Sequence, residues 1–167
     1  MFQVQGEWQR NVGSEGDQPG QFNNPNGLAL TSDEDFLLVA DARNHRVAVL
    51  RALDGAWVRQ LTGPPGTLPN PYRITVASSG EVLVSDIDRH QVVRFRSIDE
   101  DIVVGTLGTG LGSGPTQFNN PLGLVVLDRP VCCFHLPLNS AIFVFLLDHI
   151  FTHDSTQEGS VAVIADC

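Results

Sequence analysis

The sequence predicts an all-β fold made of repeated antiparallel units of four strands, and three observations predict it. First, a phrase recurs: QFNNPNGLAL from Gln21 and QFNNPLGLVV from Gln117 agree at seven of ten positions. Their separation, 117 − 21 = 96, is twice 48, and a worn copy, TLPNPYRITV at 67–76, stands midway. Second, each of the first two phrases leads to a second signal. FLLVADARNHRVAVL at 36–50 and EVLVSDIDRHQVVRF at 81–95 superpose at an offset of 86 − 41 = 45, which aligns Val39 with Val84, Asp41 with Asp86, His45 with His90 and Val47 with Val92. Third, apolar runs of about five residues alternate with Gly, Pro, Asn and Asp clusters, the mark of an antiparallel meander.

In chain order, residues 1–20, with FQVQGEWQRNVG, read as the end of a preceding unit. Residues 21–66 form the first complete unit, with strands at 27–30, 36–40, 46–51 and 57–61 separated by TSDED, DARNH and ALDGA. Asn24–Pro25 pins a turn before the first strand, and Gly27 permits a close backbone approach where that strand starts. Residues 67–116 form the second unit, with strands at 73–77, 81–85, 91–96 and 102–107. Residues 117–167 form a partial third, in which SVAVIADC at 160–167 repeats the front of the second signal. From Pro25 to Asp41 is 16 residues and from Pro71 to Asp86 is 15, but from Pro121 to Asp166 is 45, so an insert of about 29 residues lies at about 129–159.

A four-stranded sheet of this size cannot bury both faces by itself, so the units must stack. Four meandering strands in 40 to 50 residues is the spacing of a β-propeller blade, which favours a propeller over a solenoid. The units present fall short of a ring. The expectation is therefore an open, incomplete arc that belongs to a longer chain or completes itself by oligomerising.

Composition narrows the chemistry. The net charge of −9 comes from nineteen acids against ten bases, all ten of them Arg. Such a balance argues against an electrostatic grip on nucleic acid or anionic lipid, and the absence of Lys removes Schiff-base chemistry. Cys132, Cys133 and Cys167 make neither a disulfide framework nor a metal-spaced pair. MFQVQGEWQR lacks the basic and apolar regions of a signal peptide, which points to the cytoplasm. The longest apolar run, AIFVFLL at 141–147, is far short of the roughly 20 residues a membrane span needs.

The phrase FNNPNGLAL followed by VADARNHRV resembles the NHL repeat. Asn44, His45 and Arg46 match its turn signature, whereas the second copy departs from it with Asp88, Arg89, His90 and Gln91. The resemblance covers about 22–126 and then 160–167. It implies four-stranded blades of the kind that close a six-bladed ring. It also implies one of three activities: protein binding, as at the substrate-binding ends of some tripartite-motif ubiquitin ligases; enzyme chemistry, as in amidating lyases and lactonase-like hydrolases with a metal on the axis; or RNA binding.

In such a ring the turn between second and third strands shares one face with the link into the next blade. That places Arg43, Asn44 and His45 together with Asp88, Arg89 and His90, and Tyr72 and Arg73 at the mouth beside Asn24 and Asn70. Arg43, Asn44, His45, Tyr72, Arg73, Arg89 and His90 are the candidate partner-binding residues, with Arg43, Arg73 and Arg89 foremost, because exposed Arg beside Tyr72 is the composition of a protein-binding hot spot. Asp41 and Asp86 read instead as turn caps or Arg partners, and the recurring His45 and His90 as residues that serve the repeat. No GxSxG elbow, HExxH or other nucleophile and base arrangement is present, and GTGLGSGP at 108–115 precedes a β unit where a dinucleotide site needs a helix. No catalytic residue, metal or cofactor is therefore assigned. The insert admits three readings: a metal site from Cys132, Cys133, His135, His149 or His153; a loop packing an apolar strand or short helix on the sheet; or translated noncoding sequence. The functional expectation is a non-catalytic protein-interaction module acting through the loop face. The alternatives are a fragment of a propeller enzyme and an RNA-binding domain, the last disfavoured by charge.

Overall fold

The computed structural model describes residues 11–112, 116–127, 142–144 and 160–164. Two short strands, β1 (Ser14–Glu15) and β2 (Gln21–Phe22), pair in parallel ahead of the first blade. That blade is a meander of β3 (Pro25–Leu30), β4 (Phe36–Asp41), β5 (Arg46–Arg51) and β6 (Trp57–Leu61), ordered in space as in sequence. The second blade repeats it with β7 (Pro71–Val76), β8 (Val82–Asp86), β9 (Gln91–Phe95) and β10 (Val103–Leu107). Each first strand begins two residues earlier than the alternation alone predicts, because Pro25 pairs with Asp41 and Pro71 with Asp86 across a bulge. A proline donates no N–H, so it fits at this strand start.

The middle strands explain the stacking. FLLVAD and RVAVLR are apolar almost without alternation, and so are VLVSD and QVVRF, because each lies covered on both faces. Leu38, Ala40, Val47, Val49 and Leu61 of the first blade pack against Leu68, Ile74, Val82, Val84, Val93 and Phe95 at the second. The far face of the second blade, with Leu83, Val92 and Leu107, packs on Phe118, Leu124 and Val126. Among the described residues the opposite face of the first blade, with Val39, Ala48 and Leu50, packs with Phe22, Leu37 and Trp57, and it leaves Leu28 63% exposed. In the repeat Leu28, Leu37, Val39, Ala48 and Leu50 align with Ile74, Val82, Val84, Val93 and Phe95, so this face is the counterpart of one that a blade covers.

A third sheet follows, with β11 (Gly123–Leu127), β12 (Ile142–Val144) and β13 (Ser160–Ile164) in the order β11-β13-β12. β13 pairs antiparallel with β11, as the second strand of a blade pairs with the first, so the resumed repeat takes its expected neighbour after the insert. β12, from within the insert, pairs on the other side of β13. The proposed ligands Cys132, Cys133, His135, His149 and His153 lie outside the described residues, as do residues 1–10 of the segment read as a preceding blade. The described sheets are propeller blades that stack as an arc and do not close into a ring.

Candidate functional site

The site is assembled from the turns between second and third strands. After Asp41 the chain makes a short 3-10 turn, Ala42–Asn44, and His45 then adopts the left-handed conformation at φ 55°. His90 does the same at φ 52°. Among non-glycine residues, His, Asn and Asp tolerate this region best. The two aspartates hold these turns, as read from the sequence. Asp41 is fully buried and accepts from the Asn23 N–H at 2.7 Å, Asn44 Nδ2 at 2.8 Å and Arg46 Nε at 2.8 Å. Asp86, equally buried, accepts the N–H groups of Asn70 at 2.8 Å and Arg89 at 2.9 Å.

The counter-ion is where the turns part. Arg46 is buried, pairs with Asp41 and lies 4.9 Å over the Trp57 ring. Its Nη1 donates to the Asp17 carbonyl at 2.8 Å and Gln60 Oε1 at 3.2 Å. Its Nη2 donates to the carbonyls of Gln21 at 2.8 Å and Gln18 at 3.3 Å. One guanidinium thus clamps the link that enters the blade. Gln91 occupies the equivalent place in the second blade. Burial accordingly raises the Asp86 carboxyl above its ordinary value of 3.8; the two backbone amides oppose that rise, and the nearby Asp88 charge adds to it.

The two histidines bridge to the following link in opposite ways. His45 Nδ1 lies 2.6 Å from the Pro69 carbonyl oxygen, which can only accept, so Nδ1 carries the proton. His90 Nδ1 receives the Asn120 N–H at 3.1 Å, so it is bare and the proton of the neutral ring sits on Nε2. Further in, a Cβ on Gly27 would stand 2.5 Å from the Tyr72 carbonyl oxygen and 2.8 Å from Arg73 Cα. That is the close approach read from the sequence. At the position equivalent to Gly27 the second blade has Arg73, whose Nε donates at 3.1 Å to the Leu122 carbonyl, the counterpart of Tyr72. Its guanidinium also lies 5.1 Å over the Tyr72 ring.

The structure therefore sorts the seven predicted residues. Asn44 is bound to Asp41 and, at 2.8 Å, to the Gly16 carbonyl. His45, His90 and Arg73 bridge blades, and Tyr72 supports Arg73. Arg43 and Arg89 are exposed, and among the described residues their side chains have no hydrogen-bonding or ionic partner. Asn44 and His45 line a cleft of about 490 Å³ whose other wall is the link at 62–69. Arg89 stands behind that wall, its Nη2 3.3 Å from where a Gly66 Cβ would be. The link itself was missed as a site element, although its length is a visible signal. Leu68 lies 5 positions after Gly63, against 9 from Gly13 to Phe22 and 10 from Gly108 to Phe118.

The opposite face differs in charge. A groove there is lined by Leu30, Asp33, Glu34, Asp35 and Arg51 among others. The Thr31 hydroxyl and the Asp35 N–H hold the Asp33 carboxyl below its usual range, and Arg51 pairs with Asp54. Among the described residues no group of three or more His, Cys, Asp or Glu could hold a metal, and no helix is long and apolar enough to cross a membrane.

Comparison with known proteins supports the repeat and the fold. The NHL repeat model matches residues 22–50, which run from the second residue of the first phrase through the Asp41 turn to Leu50 in β5. No curated protein matches the chain. Among solved structures, hydrazine synthase of Kuenenia stuttgartiensis aligns with a TM-score of 0.50 at 14% identity, over 71% of this chain and 29% of that one. The Dos1 propeller aligns at TM-score 0.44 and 19% identity, over 63% of this chain and 29% of that one. A chain of the nidogen/laminin complex aligns at TM-score 0.44 and 21% identity, over 51% and 30%. This chain spans under a third of the length of each, and the likeness to hydrazine synthase bears on the fold alone. The chain carries an NHL repeat within an arc of propeller blades.

Proposed function

We propose that this NHL-repeat arc is a non-catalytic protein-interaction module whose loop face receives the partner. One observation carries the reading. The acids and histidines that recur on this face, Asp41, Asp86, His45 and His90, are bonded within the fold, while Arg43 and Arg89 stand exposed with no partner among the described residues. Repeated residues that build the turn are structural, and what they leave over is available for contact. Arg43, Asn44, His45, Tyr72, Arg73, Arg89 and His90 form the contact set; Arg43 and Arg89 supply its free charge and the others its shape. The setting is cytoplasmic, and the face of the first blade that leaves Leu28 exposed is completed by further blades or by a second copy.

Photo-crosslinking tests the reading. A crosslinkable residue at Arg43 or Arg89 should yield discrete protein adducts in cells. The same residue at Leu53, which is 87% exposed on the opposite face, should not. Equal labelling from both faces would overturn the proposal, and adducts lost on nuclease treatment would replace the protein partner with RNA.

A further inference from the structure

Resting on that reading, we propose that the cleft between the first two blades is a docking site for a short peptide segment carrying acidic side chains. The cleft exists because its link is short. In the longer link ahead of the first blade, the stretch from Asp17 to Gln21 folds onto that blade and its carbonyls take the Arg46 guanidinium. At the second blade the link from Gly63 to Leu68 has no residues to spare for this, and Gln91 replaces the clamping arginine. The space between Asn44, His45 and the link stays open, at about 490 Å³, which suits a few residues of extended peptide.

Charge selects the occupant. Every other arginine among the described residues is engaged: Arg46 with Asp41, Arg51 with Asp54, Arg59 with the Asp99 carbonyl, Arg73 with the Leu122 carbonyl, Arg94 with Glu81 and Arg96 with Glu100. Arg43 directly precedes Asn44 and His45, which line one wall, and Arg89 backs the other at Gly66. Guanidinium groups bind carboxylates through paired N–H donors, and among the described residues no carboxylate is bonded to Arg43 or Arg89; Asp41 and Asp86 are buried and Asp88 accepts from Asn70 Nδ2. His45 donates through Nδ1 to Pro69, which leaves Nε2 of its neutral ring as an acceptor for a peptide N–H. Two cations on a chain of net charge −9 suit one or two carboxylates, whereas a nucleic-acid strand needs a tract of positive charge.

The test is fluorescence anisotropy on the full chain with a short fluorescein-labelled peptide of alternating Glu and Ser, its Gln and Ser counterpart, and labelled oligouridine. The Glu peptide should bind at least about tenfold more tightly than the Gln peptide, and added salt should weaken it. Arg43→Gln and Arg89→Gln should each cost about fivefold or more, Arg89→Lys less, and Arg96→Gln nothing, with circular dichroism unchanged throughout. Equal affinity for the Glu and Gln peptides, indifference to both arginines, or a preference for oligouridine would overturn the proposal. If loop-face crosslinks to a protein persist while the Glu peptide fails, the interaction reading survives and acid selectivity falls. If both fail, both readings fall.

Discussion

The first and second blades fold the same strand pattern around the same buried aspartate, yet they neutralise it differently. Asp41 has the Arg46 guanidinium, and the same guanidinium anchors the incoming link through three carbonyls. Asp86 has backbone amides alone. A repeat can therefore keep a residue for its bonds to the turn while the ion pair around it is dispensable. The turn is the conserved physical unit, since in both blades the carboxylate accepts from the N–H of the phrase that starts the first strand. Replacing Arg46 with Gln91 goes together with a shorter link, and the cleft is the geometric result.

The sharpest way to break this comparison is to remove one partner in each blade. Asp41→Asn should cost about 3 to 5 kcal/mol, because it leaves a buried guanidinium without its anion, and Arg46→Ala should cost a similar amount by leaving the anion. Gln91→Ala, on a partly exposed side chain, should cost less than about 0.5 kcal/mol. Urea denaturation measures all three. If Arg46→Ala proved as mild as Gln91→Ala, the first blade would have no clamp.

The next largest effect concerns the innermost strands. Gly27→Ala drives a methyl group to 2.5 Å from the Tyr72 carbonyl oxygen, and backbone has little room to yield, so a loss of about 1 to 3 kcal/mol is expected. At the equivalent position Arg73→Ala removes one exposed hydrogen bond and a ring contact, and should cost about 1 kcal/mol or less. Thermal unfolding of the two variants decides it. Reversed sizes would mean that the arginine, and not the close approach, fixes how blades step around the axis.

What the sequence made legible follows from the range of each interaction. All eight strands of the two blades lie within two residues of where alternation and turn residues put them, because both signals are local. Gly27 was legible because a glycine opening a strand implies crowding. Asp41 was legible as a cap or Arg partner because Arg46 is only five residues away. The Arg46 contacts to Asp17, Gln18 and Gln21 were not, since those residues lie 25 to 29 positions off and only the stacked fold brings their carbonyls to it. For the same reason the hydrogen bonds that engage Asn44, His45, Arg73 and His90 within the arc were not legible, nor was the Tyr72 ring under Arg73. Exposure can be guessed from a turn, but whether a polar side chain is already engaged depends on the next blade.

A smaller effect separates the two aspartates by pH. Asp86→Asn exchanges one amide bond for a poorer contact, so its cost at neutral pH should be about 1 kcal/mol, well below that of Asp41→Asn. Because the folded state raises the Asp86 carboxyl above its ordinary 3.8, ionisation of this group opposes folding. The native protein therefore gains stability relative to the variant as pH falls through the carboxylate range, and the cost of Asp86→Asn should grow between pH 7 and pH 4. A cost that shrank on acidification would mean that the amides outweigh burial.

The smallest effect is also the most specific. His45 and His90 occupy one repeat position and share one backbone conformation, but the geometry requires a proton on Nδ1 of the first and a bare Nδ1 on the second. Nitrogen-15 correlation spectra of the imidazoles at neutral pH should show the two opposite neutral tautomers. Asn in place of either keeps the left-handed turn and removes the native ring contact, at about 0.5 to 1.5 kcal/mol each. Identical tautomers would show that the links into the second and third blades approach their histidines with the same side of the peptide group, and the difference between the two steps would then lie in Arg73 alone.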